Sequence, residues 1–79
     1  MTIDAALKEL SGNETNIRFV RLVTIAKTFF GSPRIKGSHY IFKTPWPGDP
    51  RINLQKEKGK AKYCQVRQVI TALEKLKGV

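Results

Sequence analysis

The chain has 79 residues, of which 41% are hydrophobic, enough for the core of one small domain and too many for a disordered tail. Fifteen Lys and Arg against six Asp and Glu give a net charge of +9, which indicates a polyanionic partner: nucleic acid, an anionic membrane or an acidic protein. With no apolar run near the roughly 18–20 residues of a membrane span, no signal-peptide pattern and one cysteine, we expect a cytoplasmic protein without a disulfide.

Two helices are predicted at the start of the chain. Apolar residues spaced at i, i+3, i+4 and i+7 from Ile3 to Leu10 predict the first helix, with Thr2 as its N-cap. The second is expected from about residue 15 or 16 to Phe30, because Gly31 and Pro33 end it. Its expected core stripe comprises Phe19, Leu22, Val23, Ala26, Phe29 and Phe30.

The middle of the chain predicts three strands. A short strand near residues 33–36 is followed by a turn at Gly37 and by a second strand over residues 38–44. Alternation places Tyr40 and Phe42 on one face and His39, Ile41 and Lys43 on the other. Residues 45–50 hold three prolines and must be a connection, in which Trp46 either plugs the core or stacks on a base. Residues 51–55 alternate again and predict the third strand.

A charged loop over residues 55–62 leads into the last helix, which ends at Gly78. The expected core stripe of this helix is Val66, Val69, Ile70, Leu73 and Leu76, with Gln65, Gln68, Glu74 and Lys75 outside and Cys64 half-buried at its start. The order is helix, helix, three strands, helix (α-α-β-β-β-α). We expect an α+β fold in which helices pack on one face of a three-stranded antiparallel sheet, leaving the other face open to a ligand.

The candidate chemistry lies on that open face. His39 and Lys43 would be roughly 13 Å apart at the backbone and could bracket an extended nucleic acid. Cleaving RNA without a metal needs a group that takes the 2′-hydroxyl proton, a donor for the leaving oxygen and positive charge near the phosphate. His39 could make one proton transfer, while Arg34, Lys36 or Lys43 could stabilise the charge. The alternative is a packed or surface histidine beside solvated cations.

Most of the excess charge lies in residues 31–79, which carry eleven basic and three acidic side chains. Within this part, Lys58, Lys60 and Lys62 form either a phosphate-contacting loop or a solvated one. One histidine, one cysteine and no paired carboxylates predict neither a metal site nor a cofactor.

The run Gly37-Ser38-His39-Tyr40-Ile41-Phe42, after a helix ending in Phe30-Gly31 and a short basic strand, resembles the HicA toxins of bacterial toxin–antitoxin pairs. Residues 59–68 look like the stretch that opens the last helix in one branch of that family. The resemblance covers about residues 15–77, and residues 1–14 would add an N-terminal helical extension within a single domain over 1–79. Many relatives have a second histidine where this chain has Tyr40.

The resemblance implies a small double-stranded-RNA-binding-like fold and a metal-independent endoribonuclease that cleaves mRNA. It also implies that His39 is catalytic and that a HicB-like antitoxin covers the active site. The residues expected to bind RNA are Arg34, Lys36, Gly37, Ser38, Lys43, Lys58, Lys60 and Lys62.

Two other classes of function stay open. A basic domain of this kind could hold RNA through phosphates and 2′-hydroxyls without cutting it. It could also be a protein-interaction domain whose positive charge meets an acidic partner.

Overall fold

The computed structural model describes residues 1–46 and 51–78. Its elements are α1 (Ile3–Leu10), α2 (Phe19–Phe30), β1 (Arg34–Lys36), β2 (His39–Phe42), β3 (Ile52–Gln55) and α3 (Tyr63–Lys77). The predicted order and the α+β class are confirmed.

The strands form an antiparallel sheet, as expected, and their order in the sheet is β1-β2-β3. Tyr40 and Phe42 of β2 lie directly across from Leu54 and Ile52 of β3, and these four side chains face the helices. Phe42 and Leu54 are fully buried. Because successive side chains of a strand point to opposite faces, the other residues of β2 and β3 lie on the face that the helices leave uncovered.

The three helices share one hydrophobic core with the sheet. Phe19 of α2 packs edge-to-face on Tyr40 of β2, with ring centroids 5.5 Å apart. Within the predicted N-terminal extension, residues 1–14, the helix is α1. Its Ala6 and Leu10 are fully buried in the same core. Thr2 caps α1 as predicted, because its hydroxyl accepts a hydrogen bond from the Ala5 N–H.

The second helix begins at Phe19, so the prediction of a start at residue 15 or 16 is wrong. The preceding backbone is extended because it pairs with the loop after β3. The Ala61 N–H donates to the Ile17 carbonyl, and the Phe19 N–H donates to the Gly59 carbonyl, each at 2.7 Å. Ile17 and Ala61 are both buried, so burial of this short pairing outweighs the helical preference of residues 15–18.

Predictions for individual side chains of α3 fail at its first turn. Gln65, expected outside, is buried, because its amide Nε2 donates to the Gln55 carbonyl at the edge of β3. Cys64, expected to be half-buried, is exposed. The strands are also shorter than predicted: β2 ends at Phe42, before Lys43, and β3 begins at Ile52.

Trp46 packs against the core, as one of its two interpretations predicted. Its ring lies edge-to-face to Phe30 at 6.2 Å, and the Lys75 ammonium lies 4.6 Å from the ring centroid. The rest of the predicted proline-rich connection, residues 47–50, lies outside the described residues.

Candidate functional site

The uncovered face of the sheet presents two cross-strand rows of side chains. One row is Lys36–His39–Gln55, and the other is Arg34–Ile41–Asn53. We call these six residues the open face. His39 therefore lies in the middle strand, with a lysine on one side and an amide on the other.

The Gly37-Ser38 pair, predicted to bind RNA, forms the two-residue loop of the β1–β2 hairpin. Gly37 has φ of +60° and Ser38 does not have positive φ, the combination that a type II′ turn requires. The Ser38 carbonyl accepts a hydrogen bond of 2.7 Å from the Lys56 N–H, which joins the turn to the end of β3. This turn places His39 directly opposite Lys36.

The imidazole of His39 is held by one side chain. Its Nδ1 lies 3.1 Å from Oδ1 of Asn53, and His39 is exposed. Since a carboxamide oxygen only accepts hydrogen bonds, this contact favours the neutral tautomer in which Nδ1 carries the proton and Nε2 the lone pair. The arrangement leaves Nε2 able to accept a proton from a bound molecule.

Asn53 is in turn fixed by α3. The Gln68 Oε1 accepts from the Asn53 N–H at 2.8 Å, and the Gln68 Nε2 donates to the Asn53 carbonyl at 3.2 Å. The side chain of Gln68 thus takes the place of a neighbouring strand at this edge. His39, Asn53 and Gln68 form a continuous chain of contacts from β2 to α3.

The sequence predictions missed both amides. The alternation of β3, combined with antiparallel pairing to β2, would have placed Asn53 on the same face as His39. No sequence signal identifies Gln68, because its role depends on where α3 lies against β3.

Among the described residues, the ion pairs lie away from the open face. Four carboxylates form ion pairs with cations on or beside the helices: Asp4–Lys77, Glu9–Arg21, Glu14–Arg67 and Glu57–Lys62. Arg21 holds Glu9 with two hydrogen bonds of 2.7 Å, which lower the pKa of that carboxyl. Within residues 1–46 and 51–78, no ion pair involves Arg34, Lys36 or Lys43. These three predicted site residues therefore present positive charge that no described carboxylate neutralises.

A depression of about 340 Å³ lies at the end of the open face away from the hairpin turn. It is lined by Phe30, Ser32, Arg34, Ile41, Lys43 and Arg51. The structure thus brings the predicted site residues Arg34 and Lys43 together and adds Arg51, which the sequence predictions did not include. Three cations surround a floor formed by two apolar side chains.

The loop lysines lie elsewhere. Lys58, Lys60 and Lys62 are exposed. The backbone of Lys60 forms a β-bridge with that of Arg18, just before α2. The Lys62 Nζ lies 3.8 Å from the Glu57 Oε2. The loop leaves β3 beside the hairpin turn. These lysines therefore come after the last residue of β3 in the chain and are not part of the two rows of the open face.

The described residues contain no group of three or more His, Cys, Asp and Glu side chains that could hold a metal ion. None of the described helices is long and apolar enough to cross a membrane. Comparison with protein-family models, with curated proteins and with solved structures finds no match to this chain. The resemblance to HicA toxins therefore stays a prediction.

Proposed function

We propose that this protein is a cytoplasmic endoribonuclease toxin of the HicA kind, which cleaves mRNA without a metal ion and uses His39 as its general acid and base. One observation supports this best: the His39 imidazole, with its Nδ1 beside Asn53 Oδ1, lies on the open face with Arg34 and Lys36. Neither these two cations nor Lys43, which lines the depression beside Arg34, has a described carboxylate partner. A polyanion is the ligand that such a face fits, and a 2′-hydroxyl is a proton donor that Nε2 suits.

The chemistry follows from the free nitrogen. Nε2 takes the proton of a 2′-hydroxyl, and that oxygen attacks the neighbouring phosphorus. The bond from phosphorus to the 5′-oxygen of the next nucleotide breaks, and that oxygen receives the proton back from Nε2 of the imidazolium, which returns the ring to its neutral form. The products are a 2′,3′-cyclic phosphate and a 5′-hydroxyl end. Lys36, directly across from His39, stabilises the extra negative charge on the phosphate in the transition state.

The order from α2 through the three strands to α3 supports our proposal of a double-stranded-RNA-binding-like fold. A HicB-like antitoxin would neutralise the toxin by covering the open face and bringing carboxylates to its cations. Neutralisation requires only that RNA be excluded from His39.

The decisive experiment compares the purified wild type with His39→Ala. We expect the variant to cleave RNA at least about 100-fold more slowly, because general acid–base catalysis commonly contributes that much. RNA binding and the circular dichroism spectrum should be unchanged, since His39 is exposed. Cleavage by the wild type should persist in excess EDTA.

Unchanged cleavage by His39→Ala, or cleavage that EDTA stops and Mg²⁺ restores, would overturn the proposal.

The unneutralised cations of the open face also favour the second candidate, a non-catalytic RNA-binding module. In that case the wild type binds RNA and cuts none. A protein-interaction domain would show no affinity for RNA even at low salt.

A further inference from the structure

We propose that the depression beside Ile41 is a second binding subsite, which takes the nucleotide next to the cleaved bond of a single-stranded RNA. Arg34 and Lys43 would bind its phosphate, and its unstacked base would lie against Ile41 and Phe30. The position relative to the cleaved bond rests on the proposed function, whereas the binding of a nucleotide does not.

The size and lining of the depression fit one nucleotide. Its volume of about 340 Å³ is near the lower end of the roughly 300–1,000 Å³ that small-molecule sites occupy. Phe30 and Ile41 are half-buried apolar side chains, and the Phe30 ring is fixed by its edge-to-face contact with Trp46. An apolar floor with cations at its rim matches a base joined to a phosphate.

The depression is correctly spaced from His39 for neighbouring nucleotides. Ile41 and His39 lie on the same face of β2, two residues apart, which is about 6.8 Å along a strand. An extended RNA lying along β2 would therefore place one phosphate at His39 and put the next nucleotide over Ile41.

The charges at the rim favour an anion. Arg34 and Lys43 lie on one depression, and neither forms an ion pair among the described residues. Like charges gathered in this way repel one another in the free protein, and a bound phosphate relieves that repulsion. A base can reach the apolar floor only when it is unstacked, so we expect single-stranded RNA to bind and duplex RNA to bind much more weakly.

The test is a thermodynamic cycle between protein and RNA. Short single-stranded oligoribonucleotides, with 2′-deoxyribose at the cleaved position to prevent reaction, carry one neutral methylphosphonate linkage placed at each position in turn. Binding is measured for the wild type, for Arg34→Ala/Lys43→Ala and for a control of equal charge, Lys8→Ala/Lys27→Ala, whose exposed lysines lie on α1 and α2.

We expect a methylphosphonate next to the cleaved linkage to weaken wild-type binding about tenfold, as loss of charged hydrogen bonds does. The same linkage should weaken binding by Arg34→Ala/Lys43→Ala little further. It should weaken binding by the control pair about tenfold, as in the wild type. If the loss is equally large in Arg34→Ala/Lys43→Ala, these side chains do not contact that phosphate and the subsite is refuted.

An abasic nucleotide, placed at the position whose methylphosphonate effect depends on Arg34 and Lys43, tests whether a base lies against Ile41 and Phe30. We expect it to weaken wild-type binding about fivefold or more, and Ile41→Ala to remove most of this difference. Equal losses in both proteins, or equal affinity for duplex and single-stranded RNA, would refute base binding here. A wild type that binds these oligonucleotides but cuts no RNA overturns the proposed function, and the cycle still decides the subsite.

Discussion

Nδ1 of His39 and Oδ1 of Asn53 lie 3.1 Å apart, and this contact favours the tautomer in which the lone pair is on Nε2. An amide at this position fixes the neutral tautomer without adding charge. A carboxylate in its place would also stabilise the imidazolium and so make the histidine a stronger base. In the proposed ribonuclease, Asn53 therefore positions the imidazole, and replacing its amide by a carboxylate varies this contact at nearly constant size.

If His39 acts as proposed, we expect Asn53→Ala to lower kcat about tenfold, because loss of a partner that orients an imidazole costs about 10–100-fold at metal-bound histidines. Asn53→Asp should raise the pKa of His39, because the carboxylate favours the protonated ring. Nitrogen-15 NMR of the imidazole across pH measures both the tautomer and the pKa. An unchanged tautomer and kcat in Asn53→Ala would show that the contact has no role in the reaction.

Gly37 offers a test of the turn that positions His39. Its φ of +60° disfavours any side chain, although no atom lies within 4 Å of the position a Cβ would occupy. We expect Gly37→Ala to lower the free energy of unfolding by about 1–2 kcal/mol through backbone strain alone. The matched control is Gly78→Ala, whose glycine has helical φ of −80°. Urea unfolding checks both, and equal effects would contradict the strain argument.

At the scale of elements, α3 completes the edge of β3 with side chains. Gln68 bonds both backbone groups of Asn53, and Gln65 bonds the Gln55 carbonyl. The helix therefore does more than cover the sheet, because it fixes the strand that carries Asn53.

Replacing Gln68 should loosen this edge. We expect Gln68→Ala to lower the free energy of unfolding by about 1 kcal/mol, since two hydrogen bonds are lost and water replaces part of them. The Asn53 amide should exchange its hydrogen faster in this variant than in Thr71→Ala, an exposed control one turn along α3. Exchange at Asn53 that is equal in the two variants would contradict the contact.

The Glu9–Arg21 pair joins α1 to α2 and should make stability depend on pH. Because the folded pKa of Glu9 is below the ordinary 4.5, its contribution is present above pH 4.5 and is lost as pH falls through the folded pKa. Both side chains are more than a third exposed, so we expect only about 0.5 kcal/mol.

The pH dependence can be measured with Glu9→Gln and a control, Glu74→Gln, an exposed residue of α3 without an ion pair among the described residues. Urea unfolding should show a larger destabilisation by Glu9→Gln at pH 7 than at pH 3. An equal destabilisation at the two pH values would mean that packing, and not the charge of Glu9, joins the helices.

For the whole molecule, the sequence predicted what depends on local periodicity. The faces of Tyr40, Phe42 and His39 follow from alternation, and the stripe of α3 follows from helical spacing. Residues whose environment depends on long-range pairing could not be predicted. Ile17 joins the loop after β3 instead of entering α2, and Gln65 is buried because β3 ends beside it.

The distribution of charge gives a prediction about salt. In the proposed complex, an RNA that runs along β2 past His39 would reach the hairpin turn, where the loop containing Lys58 and Lys60 begins. Each phosphate neutralised on a single strand contributes about 0.7 to the slope of log affinity against log salt. We expect Lys58→Ala/Lys60→Ala to flatten this slope by roughly 1–1.5, as two lost phosphate contacts require.

Binding isotherms at several salt concentrations measure the slope. The Lys8→Ala/Lys27→Ala pair, on the helical side, should leave it unchanged. An unchanged slope for Lys58→Ala/Lys60→Ala would show that RNA stops at the hairpin turn.

The two glutamines of α3 also bear on self-association. An exposed strand edge is a template for a strand from another copy, but Gln68 already bonds the N–H and carbonyl of Asn53, and Gln65 bonds the Gln55 carbonyl, along the outer edge of β3. The other edge, β1, is three residues long, and Ile35 there is 59% exposed between Arg34 and Lys36. An antiparallel copy would bring arginine against lysine, so the sheet resists aggregation at one edge by occupied hydrogen bonds and at the other by repulsion.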